Sequence, residues 1–247
     1  MLGKICLVGI GPGTSEDITP RARLTINNAD VIIGQHQCLT AIKTLLTRKE
    51  VVSEDCSPVE RAEKAIELAV LGKNVAIVTF GDPGVYAIAS TFFNILKNRA
   101  LNLDVSVIPG LTAAGVASSI LGAPVGHDFA TISLADQAES WEKIKGRIIA
   151  AAEAGFVIVL YNPKGKVGDS RLREAAALLS NIVGLKIPVG IVSEIGKISQ
   201  STQITNLGEM MNCDVDEQSL IIVGNGTTFI AHGKMVTPRG YINGVGY

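Results

Sequence analysis

The chain has 247 residues, of which 47% are hydrophobic and 4% aromatic, and its formal net charge is −1. That length suits one large domain or two small ones. A near-neutral chain without an extended basic or acidic block argues against a nucleic-acid partner held by bulk charge.

The cysteines and the apolar stretches argue against export and membrane insertion. The four cysteines (Cys6, Cys38, Cys56 and Cys213) form no C-x-x-C pair, which is typical of reduced thiols in a cytoplasmic protein. A predicted strand begins almost at the first residue, so we expect no signal peptide. The longest apolar stretch, residues 148–160, is interrupted by a glutamate and a glycine, so we expect no membrane partner.

The first predicted strand, residues 5–8, ends in the glycine-rich segment Gly9-Ile10-Gly11-Pro12-Gly13. A dinucleotide fingerprint would need an acidic residue at the end of the next strand, and none stands there. A P-loop would need Gly-Lys-Ser/Thr, which is also missing. The segment is therefore interpreted as a glycine-rich loop stiffened by Pro12, with a plain turn as the alternative.

The first half of the chain alternates between predicted strands and helices, which indicates a mostly parallel sheet. Thr19 and Ser57, each followed by a proline, predict the N-terminal caps of the first and third helices. The predicted strands cover residues 5–8, 29–33, 50–53, 75–78 and 105–108, and the predicted helices cover residues 17–28, 41–46, 58–71, 86–98 and 113–121.

Three of these strands end in loops of small residues, at positions 9–13, 81–84 and 109–112. In the second loop, Pro83 restricts Asp82 to extended conformations, so that a carboxylate directly follows a buried strand. The carboxyl ends of parallel strands meet at one edge of the sheet, where ligands bind in open α/β folds. The three loops therefore predict one shared binding cleft.

The pattern changes after residues 122–126, which we interpret as a linker between a domain of residues 1–121 and one of residues 127–247. In the second half, strands are predicted at 131–134, 156–160, 189–192, 203–205 and 220–223, and helices at 141–154 and 171–180. Because only a short segment separates the last two strands, part of this second sheet is expected to be antiparallel. The sequence thus predicts two α/β domains, with a mostly parallel N-terminal sheet and a mixed C-terminal sheet.

Four segments, in this order, resemble the tetrapyrrole methylase family. They are Gly9-x-Gly-Pro-Gly with Asp17-Ile-Thr downstream, Gly81-Asp-Pro-x-x-Tyr, Pro109-Gly-x-Thr-Ala and Tyr161-Asn-Pro. Within the family, the segments at 127–134, 188–192, 223–225 and 235–241 are similar to the precorrin-3B C17-methyltransferase group, also called cobalt-factor III methyltransferases. Two segments depart from that group: residues 35–38 hold no tyrosine where the group usually has two, and Phe80-Gly81 stands where the group has serine-glycine before the Asp-Pro.

The resemblance implies two α/β domains with S-adenosylmethionine bound between them, and a homodimer. It also implies methylation at C17 of a corrinoid precursor (precorrin-3B or cobalt-factor III) with ring contraction, a step of cobalamin synthesis. The cofactor is expected against Pro12, Phe80, Gly81, Asp82, Val85, Thr112, Ala113, Tyr161 and Asn162. We expect Asp82 to lie near the positively charged end of the cofactor or its ribose.

Methyl transfer from a sulfonium is an in-line displacement in which the enzyme mainly positions donor and acceptor, so no nucleophilic side chain is required. Ring contraction needs proton transfers as well, and the candidate acids and bases are Asp17, His127, Asp128 and Ser133. A tetrapyrrole with many carboxylates needs cations, for which the candidates are Arg21, Arg23, Lys164, Lys166, Arg171 and Arg239. No metal site of the protein's own is predicted, although His36 and Cys38 are open candidates for contact with a substrate cobalt.

Two alternatives remain at the level of sequence. The first is another methyltransferase of the same superfamily, acting at a different ring carbon or on a non-tetrapyrrole acceptor. The second is a non-catalytic nucleotide-binding α/β protein whose glycine loops serve only as turns.

Overall fold

The structure of the chain is a computed structural model that describes residues 2–53, 57–97, 99–135, 139–164 and 168–240. The chain divides into two compact units, Met1–Ala113 and Ala114–Tyr247. Residues 122–126, interpreted above as a linker, lie within the second of these units.

The first unit is a parallel sheet with helices between the strands, as predicted. Its elements are β1 (Lys4–Gly9), α1 (Pro20–Asn28), β2 (Val31–Gly34), α2 (His36–Ala41), β3 (Glu50–Ser53), α3 (Pro58–Val70), β4 (Val75–Thr79), α4 (Ile88–Lys97) and β5 (Asp104–Ile108). The strands pair in the order β3-β2-β4-β1-β5, and all of these pairs are parallel. Because β1 lies between β4 and β5, the carboxyl ends of these three strands are neighbours.

Helices cover both faces of the first sheet. Leu7 and Ile77 point to the face on which α3 and α4 pack, together with Phe92. Ile32 points to the opposite face, where Ile26 of α1 lies. Burial on both faces explains why the strands are nearly continuous apolar runs in the sequence, as in other parallel sheets.

Two predicted helix caps of the first unit are confirmed. The Thr19 side chain accepts a hydrogen bond from the backbone N–H of Ala22 at 3.1 Å, and α1 begins at Pro20. The Ser57 N–H donates to the Glu60 carboxylate at 2.8 Å, while the Glu60 N–H donates to the Ser57 hydroxyl at 3.2 Å. These reciprocal bonds are the predicted capping box, which satisfies two backbone donors that α3 leaves free.

The second unit contains a mixed sheet, also as predicted. Its elements follow from α5 (Ala113–Leu121) through β6 (Gly122–Ala123), β7 (Phe129–Ser133), α6 (Trp141–Glu153), β8 (Val157–Tyr161), α7 (Ser170–Val183), β9 (Pro188–Ser193), β10 (Ser201–Asn206), β11 (Leu220–Val223), β12 (Phe229–Ala231) and β13 (Lys234–Val236). The larger sheet has the order β10-β9-β11-β8-β7, in which only β7 and β8 pair in parallel. A smaller sheet, β12-β13-β6, was not predicted.

Helices α6 and α7 pack on one face of the larger sheet, where Ile148, Leu172 and Ile221 share one core. Helix α5 lies against the other face, because a Cβ on Gly190 would come within 2.5 Å of a Leu121 methyl group. Among the described residues, none of the helices is long and apolar enough to cross a membrane.

Candidate active site

The three glycine-containing loops of the first unit meet at one edge of its sheet. Gly11 and Gly81, in the loops after β1 and β4, exchange backbone hydrogen bonds of 3.3 and 2.8 Å. The Gly81 carbonyl oxygen also faces the loop after β5, since a Cβ on Gly110 would lie only 2.1 Å from it. The predicted convergence of these loops is therefore confirmed.

Glycine is required where the loops touch, because the backbones leave no room for a side chain. A Cβ on Gly9 would lie 2.5 Å from the Gly81 carbonyl oxygen, closer than Cβ atoms come in real proteins. Gly81 itself has φ of +65°, a conformation that side chains disfavour. The three loops thus form a layer in which main chain packs directly against main chain, which we call the loop layer.

The Asp82 carboxylate ties two of the loops together. One of its oxygens accepts the N–H of Gly84 at 2.8 Å, and the other accepts the N–H of Gly110 at 3.1 Å. An ionised carboxylate has about four acceptor positions, so these two bonds leave capacity for a donor on a ligand. Asp82 therefore has a positioning role that the sequence did not reveal, beside its predicted role at the cofactor.

Apolar side chains rim the loop layer. Val85, Tyr86 and Leu111 are exposed by 37%, 53% and 45%, and the ideal Cβ position of Gly13 lies 3.4 Å from the Phe80 ring. Tyr86 has φ of +51°, which is uncommon for a bulky residue and costs on the order of 1–3 kcal/mol. Exposed apolar groups beside a strained backbone are typical of a ligand site rather than of a plain turn.

Asp17 lies in the loop after β1, where Thr14 positions it. The Thr14 hydroxyl donates to the Asp17 carboxylate at 2.6 Å, and the Asp17 N–H donates back to that hydroxyl at 3.2 Å. This turn explains why α1 begins three residues later than the predicted start at 17. Thr14 was not predicted as a site residue, although its Thr-x-x-Asp spacing is typical of such a turn.

At the carboxyl edge of the second sheet, β7 and β8 end side by side, with Ser133 level with Tyr161. The Asn162 amide donates to the Ser133 hydroxyl oxygen at 2.9 Å. The Tyr161 hydroxyl accepts the N–H of Ala114 at 3.1 Å and so touches the first turn of α5. Asn162 has φ of +52°, which asparagine tolerates better than most residues.

His127 and Asp128 lie at the opposite edge of that sheet. Asp128 precedes β7, and its carbonyl accepts the N–H of Val157 at the start of β8 at 3.1 Å. His127 stands six positions before Ser133, so an extended chain at about 3.3 Å per residue places them up to about 20 Å apart. The structure therefore does not bring these predicted acids and bases together, even though they belong to one sequence motif.

The predicted substrate-binding cations lie on different elements of the fold. Arg171 lies 5.3 Å from the centre of the Trp141 ring and donates to the Leu134 carbonyl at 3.1 Å, beside Ser133. Lys164 follows Asn162 in the loop after β8, and Arg239 is exposed after β13. Lys166 lies outside the described residues.

In the first unit, Arg21 lines a groove of about 420 Å³ along β1 and β5, and Arg23 donates to the Ser15 carbonyl. Arg21 thus faces the sheet surface rather than the loop layer.

The structure argues against Cys38 as a ligand of a substrate metal. Its side chain is only 1% exposed, and burial raises the pKa of the thiol to about 11. A metal ligand would have to be the thiolate, which this site disfavours. His36 is exposed at the start of α2. Within the described ranges, no three His, Cys, Asp or Glu side chains are grouped to hold a metal ion.

Two further sequence segments prove to be structural. The Asn225 side chain donates to the Gly155 carbonyl at 2.8 Å and accepts the N–H of Thr227 at 3.0 Å. The Thr228 and Thr237 hydroxyls share a hydrogen bond of 2.8 Å. The segments at 223–225 and 235–237 therefore hold the β11–β12 turn and β13 in place.

Comparison with known proteins agrees with this fold. The sequence pattern of the family described as Tetrapyrrole (Corrin/Porphyrin) Methylases matches residues 4–211. The chain therefore belongs to the tetrapyrrole methylases, which are S-adenosylmethionine-dependent methyltransferases.

Individual relatives share most of the length of the chain. A probable cobalt-factor III C(17)-methyltransferase of Salmonella typhimurium is 39% identical over 238 residues, which cover 96% of this chain and 99% of that protein. A precorrin-3B C(17)-methyltransferase of a Sinorhizobium species is 32% identical over 249 residues and 98% of both chains. The crystal structure of the methyltransferase CobJ superimposes with a TM-score of 0.89 at 26% identity, covering 96% of this chain and 100% of that one.

Proposed function

We propose that this enzyme transfers a methyl group from S-adenosylmethionine to C17 of a corrinoid precursor, precorrin-3B or cobalt-factor III, with contraction of the macrocycle, in cobalamin biosynthesis. The observation that carries the proposal is the 39% identity, over nearly the full length of both proteins, to a relative named for methylation at that carbon. The relatives' names support the methylation, and ring contraction is our extension from the resemblance of the sequence.

The loop layer of the first unit fits the cofactor. Its backbone surface admits a close ligand, its apolar rim suits an adenine, and Asp82 retains acceptor capacity for a ribose hydroxyl or a cationic group. We propose that the cofactor is held by Pro12, Phe80, Gly81, Asp82, Val85, Thr112, Ala113, Tyr161 and Asn162. The bound cofactor supplies an electrophilic methyl group, and the protein positions the acceptor and excludes water.

For the proton transfers of ring contraction, the geometry favours Asp17 over the other candidates. Thr14 holds its carboxylate at the edge that carries the loop layer. His127 and Asp128 lie at the far edge of the second sheet and bond to each other, with the Asp128 N–H 2.7 Å from His127 Nδ1. In the described part of the chain, Ser133 contacts no basic side chain, so we propose that it acts as a hydrogen-bond donor.

We propose that Arg21, Lys164, Lys166, Arg171 and Arg239 supply cations for the substrate carboxylates. Of these, Arg171 and Lys164 lie at the carboxyl edge of the second sheet, beside Ser133 and Asn162. We further propose that the enzyme works as a homodimer in the cytoplasm. Size measurement by light scattering would test the dimer.

Incubation with S-adenosylmethionine and either corrinoid, followed by the product mass, tests the proposed function. The account predicts the gain of one methyl group and an absorbance change from the contracted ring. Methylation of a different acceptor, such as another corrinoid intermediate, would favour the first alternative function. If calorimetry detected no binding of S-adenosylmethionine or its demethylated product, the non-catalytic alternative would replace the proposal.

A further inference from the structure

The hydrogen bonds around Ser133 determine whether its hydroxyl can donate or accept a further hydrogen bond. The oxygen accepts the Asn162 amide N–H at 2.9 Å and the backbone N–H of Ala135 at 3.3 Å. A serine hydroxyl has two acceptor lone pairs and one proton. With both lone pairs engaged, the proton is left to be donated, and in the part of the chain that the structure describes no acceptor takes it.

The surroundings of this hydroxyl favour a negatively charged acceptor. Arg171 donates to the carbonyl of Leu134, the residue next to Ser133, and is held there by stacking on Trp141. Lys164 lies two residues beyond Asn162 on the same loop. A carboxylate placed here would meet both a directed donor and positive charge, a combination that strengthens hydrogen bonds.

The acidic side chains near these cations are already paired. Asp169 accepts hydrogen bonds from its own backbone N–H and from Arg173 at 3.0 Å, and these bonds, in that order, lower the pKa of Asp169. Glu174 accepts from the Trp141 indole at 2.7 Å and pairs with Lys145 at 3.2 Å. Lys164 also contributes, more weakly, to the lowered pKa of Asp169, so the group left to bind a ligand here is the Ser133 hydroxyl.

We propose that Ser133 donates its proton in a hydrogen bond to a peripheral carboxylate of the tetrapyrrole, and that Asn162 is the residue that positions it. The inference rests on the proposed function and names the substrate group that this edge of the second sheet recognises. Asn162 acts through Ser133, and its left-handed backbone places the amide against the hydroxyl.

Aspartate at position 162 is the sharpest test, because it keeps the shape of asparagine and reverses the hydrogen bond. A carboxylate can only accept, so in Asn162→Asp it takes the Ser133 proton and removes the donor. We expect Asn162→Asp and Ser133→Ala each to raise the corrinoid KM by about 10- to 100-fold, the loss of one hydrogen bond to a charged group. Ser133→Thr retains a hydroxyl and is expected to keep most of the affinity.

The double variant Ser133→Ala/Asn162→Asp separates positioning from simple charge repulsion. If Asn162 acts through Ser133, the double variant has the KM of Ser133→Ala alone. Additive KM effects would overturn the proposal, as would an unchanged KM in Ser133→Ala.

Absorbance titration with cobalt-factor III, without turnover, distinguishes this inference from the proposed function. A wild-type enzyme that transfers no methyl group to either corrinoid contradicts the proposed function. The titration still tests Ser133 in that case, because equal corrinoid affinity in wild type and Ser133→Ala, or no corrinoid binding at all, overturns the inference.

Discussion

The carboxyl edges of the two sheets are built in different ways. In the first unit, Gly9, Gly81 and Gly110 pack backbone against backbone, and Asp82 accepts hydrogen bonds from main-chain N–H groups. In the second unit, side chains make the contacts, such as Asn162 to Ser133. Main-chain groups are the same in every sequence, whereas side chains differ, so the first edge suits a cofactor shared by a family and the second suits a specific substrate.

The largest expected effect comes from closing the gap between the loops of the first edge. In Gly110→Ala the new methyl group would lie 2.1 Å from the Gly81 carbonyl oxygen, and both sides of the clash are backbone. We expect this clash to cost about 3 kcal/mol, divided between the free energy of unfolding and the free energy of S-adenosylmethionine binding. If the whole cost weakened binding, the affinity for S-adenosylmethionine would fall about 100-fold. Calorimetry and urea unfolding measure the two parts of this loss.

Gly146→Ala is the matched control, because this glycine is exposed within α6 and a Cβ there meets nothing within 4 Å. We expect it to stabilise the protein by about 0.5–1 kcal/mol, since alanine is the better helix former. Equal S-adenosylmethionine affinity in Gly110→Ala and Gly146→Ala would show that the close packing of the loops does not shape the cofactor site.

Removal of the Asp82 carboxylate tests whether that residue joins the loops. Asp82→Ala leaves the N–H groups of Gly84 and Gly110 without their acceptor, and we expect a loss of about 2–3 kcal/mol in the free energy of unfolding. Asp82→Asn retains one acceptor oxygen and is expected to lose about half as much. If the free energy of unfolding were unchanged in both variants, Asp82 would not join the loops, and ligand binding would be its only role.

The apolar layer beneath the first edge gives a pH dependence through Cys38. Burial raises its pKa from 9.0 to about 11, so above pH 9 the unfolded chain releases a proton that the folded chain retains. The contribution of this thiol to the free energy of unfolding is therefore fully present below pH 9. It falls by up to about 2–3 kcal/mol between pH 9 and 11. Urea unfolding across this range is expected to show a steeper decline in the wild type than in Cys38→Ala. Parallel declines would mean that the thiol is not buried in this way.

The smallest expected effect concerns the second edge. Arg171→Lys keeps the charge but loses the stacking on Trp141 and the fork that reaches the Leu134 carbonyl. We expect a stability loss of about 1 kcal/mol and a modest rise in the corrinoid KM. Arg173→Lys serves as the control, since Arg173 pairs with an exposed aspartate, a contact worth about 0–1 kcal/mol. Identical kinetics in the two variants would remove Arg171 from the substrate site.

The first edge could be predicted from sequence because its signals are local. A β-branched run followed by Gly81-Asp82-Pro83-Gly84 specifies both the strand and its turn within a few residues, and the Ser57–Glu60 capping box is equally short-range. The order of the strands then brings the three loops together.

The second edge could not be predicted in the same way. Ser133 and Asn162 are 29 positions apart, and only the register of β7 against β8 makes them partners. Conversely, His127 and Ser133 share a sequence motif, but β7 separates them in the structure. Strands β6, β12 and β13, of two or three residues each, are too short to show a hydrophobic period.

The most direct test of the central claim is the position of the transferred carbon. The enzyme is incubated with cobalt-factor III or precorrin-3B and with S-adenosylmethionine that carries a ¹³C-labelled methyl group, and the product is examined by NMR. The account predicts one labelled methyl group attached at C17. A label at any other ring carbon, or none on either corrinoid while S-adenosylmethionine binds, would contradict it.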